Sequence, residues 1–198
     1  MKKILFFSFL LVSCSSLNVK KQENKYSSLS SRGSIAVLPF DNLSNDITAE
    51  TMIRDMITSG LEKKGWLVIK NEVTDEKLKS VGITDGGQLN SVTPKEISEL
   101  LTADYLLYGT IEDFKLQNLG YVVKKTVEIN VKIVKGATEE TVFDEKGSGG
   151  DFKVFLKSDE AKKAFIEYNA LKLVQNIVKR PLYKEAKDAV SKILNKIP

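Results

Sequence analysis

Few side chains in this sequence could carry out chemistry. The chain has 198 residues, no histidine and a single cysteine, Cys14. A Ser-His-Asp or Cys-His arrangement therefore cannot be built, and thiolate or imidazole metal sites are excluded too. Only carboxylates, lysines and hydroxyls remain for catalysis or ligand binding.

The carboxylates lack the spacing that a site requires. The segment from Asp41 to Asp46 offers oxygen ligands, but not the Asp-x-Asp-x-Asn-Gly spacing of a calcium loop. We interpret it as a turn that caps the following helix. Glu139-Glu140 and Asp144-Glu145 are typical of solvated charge around one strand. The sequence thus predicts no catalytic residue, no metal and no cofactor, which favours a protein that is not an enzyme.

Two glycine-rich segments are interpreted as structural. Gly147-Ser148-Gly149-Gly150 lacks the lysine of a phosphate-binding loop and the pattern around a nucleophilic serine, so we expect a flexible exit from the last strand. Gly82, Gly86 and Gly87 lack the flanking strand and helix of a dinucleotide-binding loop, which favours turns.

Cys14 has another chemistry available, which is acylation. It follows Leu11-Val12-Ser13 and a lysine-led apolar stretch far shorter than the roughly 20 residues of a membrane-spanning helix. The pattern is typical of an export signal, and its last four residues resemble a bacterial lipobox. We predict that residues 1–13 are a signal peptide and that Cys14 is the lipid attachment site; the alternative is a chance thiol beside an ordinary cleavage point. Ser15, rather than aspartate, favours the outer membrane, periplasmic face.

Composition suggests how the rest of the chain is divided. Residues 14–33 are polar and serine-rich, which predicts a flexible lipidated tether. Residues 34–198 are enough for one globular domain. The 30 basic and 26 acidic residues are interspersed, without the concentrated basic stripe of a nucleic-acid-binding protein, so nucleic acid is excluded as a partner.

The first half of this domain alternates strands and helices. Ser34 to Phe40 predicts a buried strand, and the spacing of Ile53, Met56, Ile57, Gly60 and Leu61 predicts a helix that Gly65 ends. Trp66 to Ile69 predicts a second strand, parallel to the first. A weaker helix is expected from Thr74 to Val81, and another begins at Pro94 and continues through Leu101.

The second half predicts an antiparallel meander followed by helices. Its strands are expected at Asp104 to Phe114, at Val123 to Ile133, where apolar and polar residues alternate, and at Thr141 to Gly147. Helices are expected around Ala161 to Leu171 and from Pro181 onward. The fold class is therefore α/β, with a mixed sheet, a β-α-β-α core and C-terminal helices packed on the sheet.

Several of these segments resemble known envelope proteins. Ile35 to Phe40, Trp66 to Ile69 and Thr102 to Ile111 resemble the domain of TolB amino-terminal regions and of the secretion lipoprotein CsgG. The stretch from Val73 to Ile111 is more similar still to a family of small bacterial lipoproteins with that domain. The resemblance covers about residues 34–149 and implies an envelope-facing interaction module without catalytic residues, often found in oligomers.

Two functions without catalysis are compatible with this resemblance. One is a membrane-anchored adaptor for secretion, transport or envelope machinery, which binds envelope proteins or a copy of itself. Its contact would be the sheet edge, the Val123 to Ile133 ribbon or the C-terminal helix. The other is a CsgG-like oligomeric channel subunit that inserts hairpins into the outer membrane. Lys125 interrupts the apolar side of the ribbon, which favours one face packed on a core. For the C-terminal helix, core packing is favoured over a subunit interface.

Overall fold

The computed structural model describes Leu29, residues 33–119, 121–154 and 182–198, and scattered positions between 159 and 170. The helices with full bounds are α1 (Ala49–Lys63), α2 (Asn71–Ser80), α3 (Pro94–Leu101) and α4 (Tyr183–Leu194). The strands are β1 (Ser34–Val37), β2 (Asp41–Asn42), β3 (Leu67–Ile69), β4 (Tyr105–Asn118), β5 (Val122–Lys135) and β6 (Thr141–Val154). In this part of the chain no helix is long and apolar enough to cross a membrane.

The strands form one mixed sheet, as predicted. Its order is β3-β1-β4-β5-β6, and β2 also pairs with β4. β1 is parallel to both β3 and β4, whereas β4, β5 and β6 form an antiparallel meander. The α/β class and the mixed sheet expected from the sequence are therefore confirmed.

Helices pack on both faces of the sheet, but unequally. One face carries α1 and α4 over a large apolar core that extends from β1 to β6. On the other face α2, α3 and the 3₁₀ helix Gly86–Ser91 cover a smaller core around Leu38, Leu78 and Leu106. No described helix covers that second face of β5 and β6, which carries mainly polar side chains such as Glu128, Asn130, Asp144 and Lys146.

Helix α1 shows how local sequence forms these layers. Its buried apolar residues follow the helical repeat at Ala49, Ile53, Ile57 and Leu61. Gly65 has a φ of 84° and donates its N–H to the carbonyl of Glu62. This left-handed conformation, which glycine adopts at little cost, ends the helix and turns the chain into β3.

Helix α3 has the bounds that its end signals predict. Pro94 occupies its first turn, and Thr93 and Glu96 form a reciprocal capping box. The hydrogen bonds from the Thr93 N–H and hydroxyl lower the pKa of the Glu96 carboxyl. A complete set of local signals thus defined this helix without tertiary information.

Other predicted bounds were wrong. β4 continues four residues past Phe114, to Asn118, and β6 continues past Gly147 to Val154. Asp41 and Asn42 form β2 rather than part of a turn, and the glycine loop contains a 3₁₀ helix. The apolar positions of the expected helix at 161–171 lie outside the described residues.

Candidate interaction surface

The predicted lipid site, Cys14, lies outside the described residues. Leu29, which we assigned to the tether, is buried in the large core with 1% exposure. Its single side chain gave no periodic signal, so the sequence did not reveal this contact. Packing against the domain thus begins before Gly33.

Of the three predicted contact surfaces, the Val123 to Ile133 ribbon is not available. Its apolar residues Val127, Ile129, Val131 and Ile133 are all buried in the core beneath α1 and α4. Lys125, on the same side, forms an ion pair of 3.2 Å with the buried Glu185 of α4. The expectation of one face packed on a core is confirmed.

The C-terminal helix is also occupied by the core. In α4 and its flanks, the buried apolar residues are Leu182, Ala186, Ala189, Val190, Ile193 and Ile197. α4 packs on β5 and β6 and against α1, where Gly60 leaves room for Leu194. Core packing, favoured from the sequence, is therefore confirmed for this helix.

The glycine run is part of β6, so our prediction of a flexible exit was wrong. A Cβ on Gly149 would lie 1.8 Å from the carbonyl oxygen of Glu185, and one on Gly147 would lie 2.3 Å from that of Ala189. These glycines therefore let the backbone of α4 approach the strand. Helix α4, which packs against these glycines, lies more than thirty residues further along the chain. The sequence around the glycine run therefore gave no sign of this packing, and the run appeared to be a loop.

The third surface, the sheet edge, remains accessible. β6 is 14 residues long and pairs with β5 on one side; among the described residues no strand pairs with its other side. Asp144, Lys146, Ser148 and Gly150 are exposed on the face without helices. Lys192 of α4 donates to the Ser148 carbonyl at 2.7 Å, which engages one backbone group of this strand.

A polar cleft of about 480 Å³ lies where the chain leaves β1. In open α/β sheets the crevice beyond the carboxyl ends of the strands is a common ligand site. Here α1 follows β1 on one face of the sheet and α2 follows the neighbouring strand β3 on the other, so the crevice is at such a switch point. Its lining includes Asp41, Glu50, Arg54 and Asp85.

Arg54 in this cleft has a structural role. It is 5% exposed, and its guanidinium donates to both carboxylate oxygens of Asp75 and twice to the Val37 carbonyl. Its donors therefore hold α1, α2 and the end of β1 together and do not face a ligand. Among the described residues no three carboxylates converge on a metal position.

A smaller cleft of about 240 Å³ continues from the first along β4 and β5. It is lined by Tyr108, and Lys132 lies 5.2 Å from the centre of that ring. Burial, with a contribution from Glu139, raises the pKa of Tyr108 to about 12. The hydroxyl is therefore neutral near pH 7 and is not poised as a base.

A third groove, of about 780 Å³, lies between α1 and α4. Its walls combine the apolar Met52, Met56 and Val190 with the charged Asp55 and Lys187. At one end Ile47 is 90% exposed. The sequence gave no sign of this groove, because it depends on how two helices distant in the chain are spaced.

Several solved structures are similar to this chain, and GNA1162 shares its fold. Lipoprotein GNA1162 from Neisseria meningitidis is 19% identical, with a TM-score of 0.57, over 72% of this chain and 98% of that one. A PelC dodecamer from Paraburkholderia phytofirmans is 12% identical over 84% of this chain and 90% of that one, with a TM-score of 0.48. The C-terminal domain of LpoB from Salmonella enterica is 14% identical over 63% and 91%, with a TM-score of 0.45.

No curated protein matches the chain at a significant level. Residues 24–196, by contrast, match one protein family over most of the chain. That family is one of bacterial lipoproteins, so the resemblance to a family of small bacterial lipoproteins, drawn from the stretch Val73 to Ile111, is confirmed. The chain belongs to the GNA1162-like lipoprotein family.

Proposed function

We propose that this protein is a membrane-anchored envelope lipoprotein that acts as a non-catalytic interaction or assembly module. Its anchor is a set of acyl chains on Cys14, at the periplasmic face of the outer membrane. Its partners are envelope proteins of secretion, transport or envelope machinery, or a second copy of itself. The contact surface is the free edge of β6.

The accessible edge of β6 is the observation that carries this proposal. An edge strand exposes backbone donors and acceptors that can pair with an extended segment of another chain. β6 has no proline, and Gly147, Gly149 and Gly150 leave its backbone without bulky side chains. The apolar sides of the other two candidate surfaces, the ribbon and α4, are already buried in the large core.

The absence of a suitable acid–base pair or metal cluster among the described residues is compatible with a binding role. The one buried guanidinium, Arg54, is saturated by Asp75 and Val37. A channel subunit would need an apolar strand face free to meet lipid, but that face of β5 is covered by helices. We therefore prefer the adaptor.

Photocrosslinking in intact cells tests the proposed surface. A benzoylphenylalanine replaces Ser148, which is exposed on β6, or, as a matched control, Glu99, which is exposed on α3. We expect discrete crosslinked products from position 148 that mass spectrometry identifies as envelope proteins or as the same chain. Position 99 should give few or none.

Equal products from the two positions, or products from position 99 alone, would contradict the edge as the contact surface. Localisation is read separately, by fractionating the same cells into inner and outer membranes. A C-terminal affinity tag recovers the products and leaves the proposed anchor at Cys14 unchanged. The tag follows Pro198, at the end of the chain beyond α4.

A further inference from the structure

The far end of the β4–β5 hairpin carries an apolar cluster that no other described element covers. We define it as the distal tip: Leu119, Tyr121, Phe152 and Val154. These four side chains are between 52% and 69% exposed. Such a group of exposed aromatic and aliphatic side chains marks an interaction site more often than an inert surface.

The strand register brings these residues together. The Leu119 N–H bonds the Val122 carbonyl at 2.8 Å, which closes the hairpin. Val154 lies opposite Val122, and Phe152 lies opposite Lys124. The end of β6 thus lies beside the hairpin loop, and residues distant in sequence share one surface.

The distal tip also projects beyond α4. The first turn of α4 lies against Gly149, and β6 continues for five more residues, to Val154. At about 3.3 Å per residue the strands extend roughly 17 Å past that helix. The tip can therefore meet a flat surface without interference from α4.

Lysines surround the apolar side chains. Lys124 and Lys153 are exposed, and neither forms an ion pair among the described residues, whereas Lys125 and Lys115 are paired with Glu185 and Asp113. Asp151 is the one acid in the last four residues of β6. Aromatic rings flanked by long lysine side chains suit the boundary between acyl chains and anionic headgroups.

We infer that the distal tip docks on an anionic lipid bilayer, where Phe152 and its apolar neighbours enter the interface while Lys124 and Lys153 contact headgroups. This inference rests on the membrane attachment proposed above. The fifteen residue-to-residue steps between Cys14 and Leu29 can span up to about 50 Å, and β4 is about 46 Å long at 3.3 Å per residue. An anchored chain can therefore bring its tip to the membrane that holds it.

Tryptophan fluorescence tests this contact. The wild-type chain has one tryptophan, Trp66, which is 4% exposed and supplies the background signal. The full acylated chain carrying Phe152→Trp is reconstituted into phosphatidylcholine vesicles with or without phosphatidylglycerol, and with acyl-brominated lipid as quencher. The control, Leu67→Trp, places the indole at an exposed position at the opposite end of the sheet.

We expect a blue shift and quenching of the indole at position 152 in vesicles that contain phosphatidylglycerol, and neither change at position 67. Adding Lys124→Glu and Lys153→Glu to Phe152→Trp should abolish the quenching. Far-UV circular dichroism confirms that each variant is folded. Flotation with the vesicles reports anchoring separately, so that failure of the anchor and failure of the tip are distinguishable.

Absence of quenching at position 152 in floated vesicles would overturn the inference. Quenching at position 67 but not at position 152 would also overturn it. So would quenching at position 152 that persists in the charge-reversed variant or in neutral vesicles. If the indole at position 152 shifts only when protein concentration rises, and sedimentation shows dimers, the tip binds a second copy rather than lipid.

Discussion

At the scale of single residues, two glycines determine how closely α4 packs on the sheet. Gly147 and Gly149 bring β6 within reach of the α4 backbone, with Cβ clearances of 2.3 Å and 1.8 Å from helix carbonyls. Real Cβ atoms do not approach carbonyl oxygens so closely. Any side chain at these positions must displace the helix from the sheet.

We therefore expect Gly149→Ala to destabilise the domain by about 1–3 kcal/mol, the usual range for overpacking a filled interface. Urea unfolding followed by Trp66 emission measures the change. Gly87→Ala is the matched control, because its Cβ would meet nothing nearer than the Asp85 side chain at 3.2 Å. That control should shift stability by less than about 0.5 kcal/mol. Equal losses in both variants would refute the close-approach explanation.

Arg54 is the second residue whose role emerged only from the structure. It has a charged side chain inside a helix whose other buried positions are apolar, and sequence patterns assign charged residues to the surface. Its burial depends on Asp75, from the next helix, and on the Val37 carbonyl at the end of β1. Neither partner is visible in the local sequence around position 54.

At the scale of elements, the bounds of a helix or strand could be predicted only where the residues that determine them are close together in the sequence. Thr93, Pro94 and Glu96 define α3 within one turn, and the predicted bounds were correct. In β4 and β6 most of the residues beyond the predicted ends are polar or glycine, which have low strand propensity. They are held extended by cross-strand pairs such as Gln117 with Lys124 and Thr126 with Gly150.

α4 shows how an element at the end of the chain can be essential to the core. Its buried residues meet β5, β6 and α1. A chain truncated after Arg180 would expose this apolar surface, so we expect it to lose cooperative unfolding and become sensitive to protease. As a control, Lys184→Ala, at an exposed position of α4, should change stability by less than about 0.5 kcal/mol. A truncated chain that stays folded and merely loses self-association would show that α4 is an interface.

At the scale of the whole molecule, the proposed membrane attachment depends on Cys14. We expect Cys14→Ala to release the protein from membranes, because a chain without acyl groups loses about 0.8 kcal/mol for every methylene that the bilayer would bury. Fractionation of cells followed by immunoblotting measures the released share. Ser15→Asp is the companion variant and should stay attached but move toward the inner membrane. A Cys14→Ala protein that still sediments fully with membranes would exclude lipid anchoring as proposed.

The sequence identified the likeness to a lipoprotein family and the mixed sheet, because short apolar strands and helix repeats carry that information. It favoured core packing for the ribbon and for the C-terminal helix, but it could not show which of the three contact surfaces stays accessible. That choice required knowing that α4 and α1 bury the ribbon beneath them and that no described strand pairs with the outer edge of β6. Both facts depend on contacts between distant segments.

The position of Leu29 has a mechanical consequence. The chain leaves this buried side chain and soon enters β1, which is hydrogen-bonded on both sides to the parallel strands β3 and β4. Tension applied through the N-terminal segment acts along β1, so the bonds on both sides carry the load in shear and must break nearly together. If the chain is anchored as proposed, a domain held in this way resists being pulled apart by that anchor while another molecule is attached elsewhere.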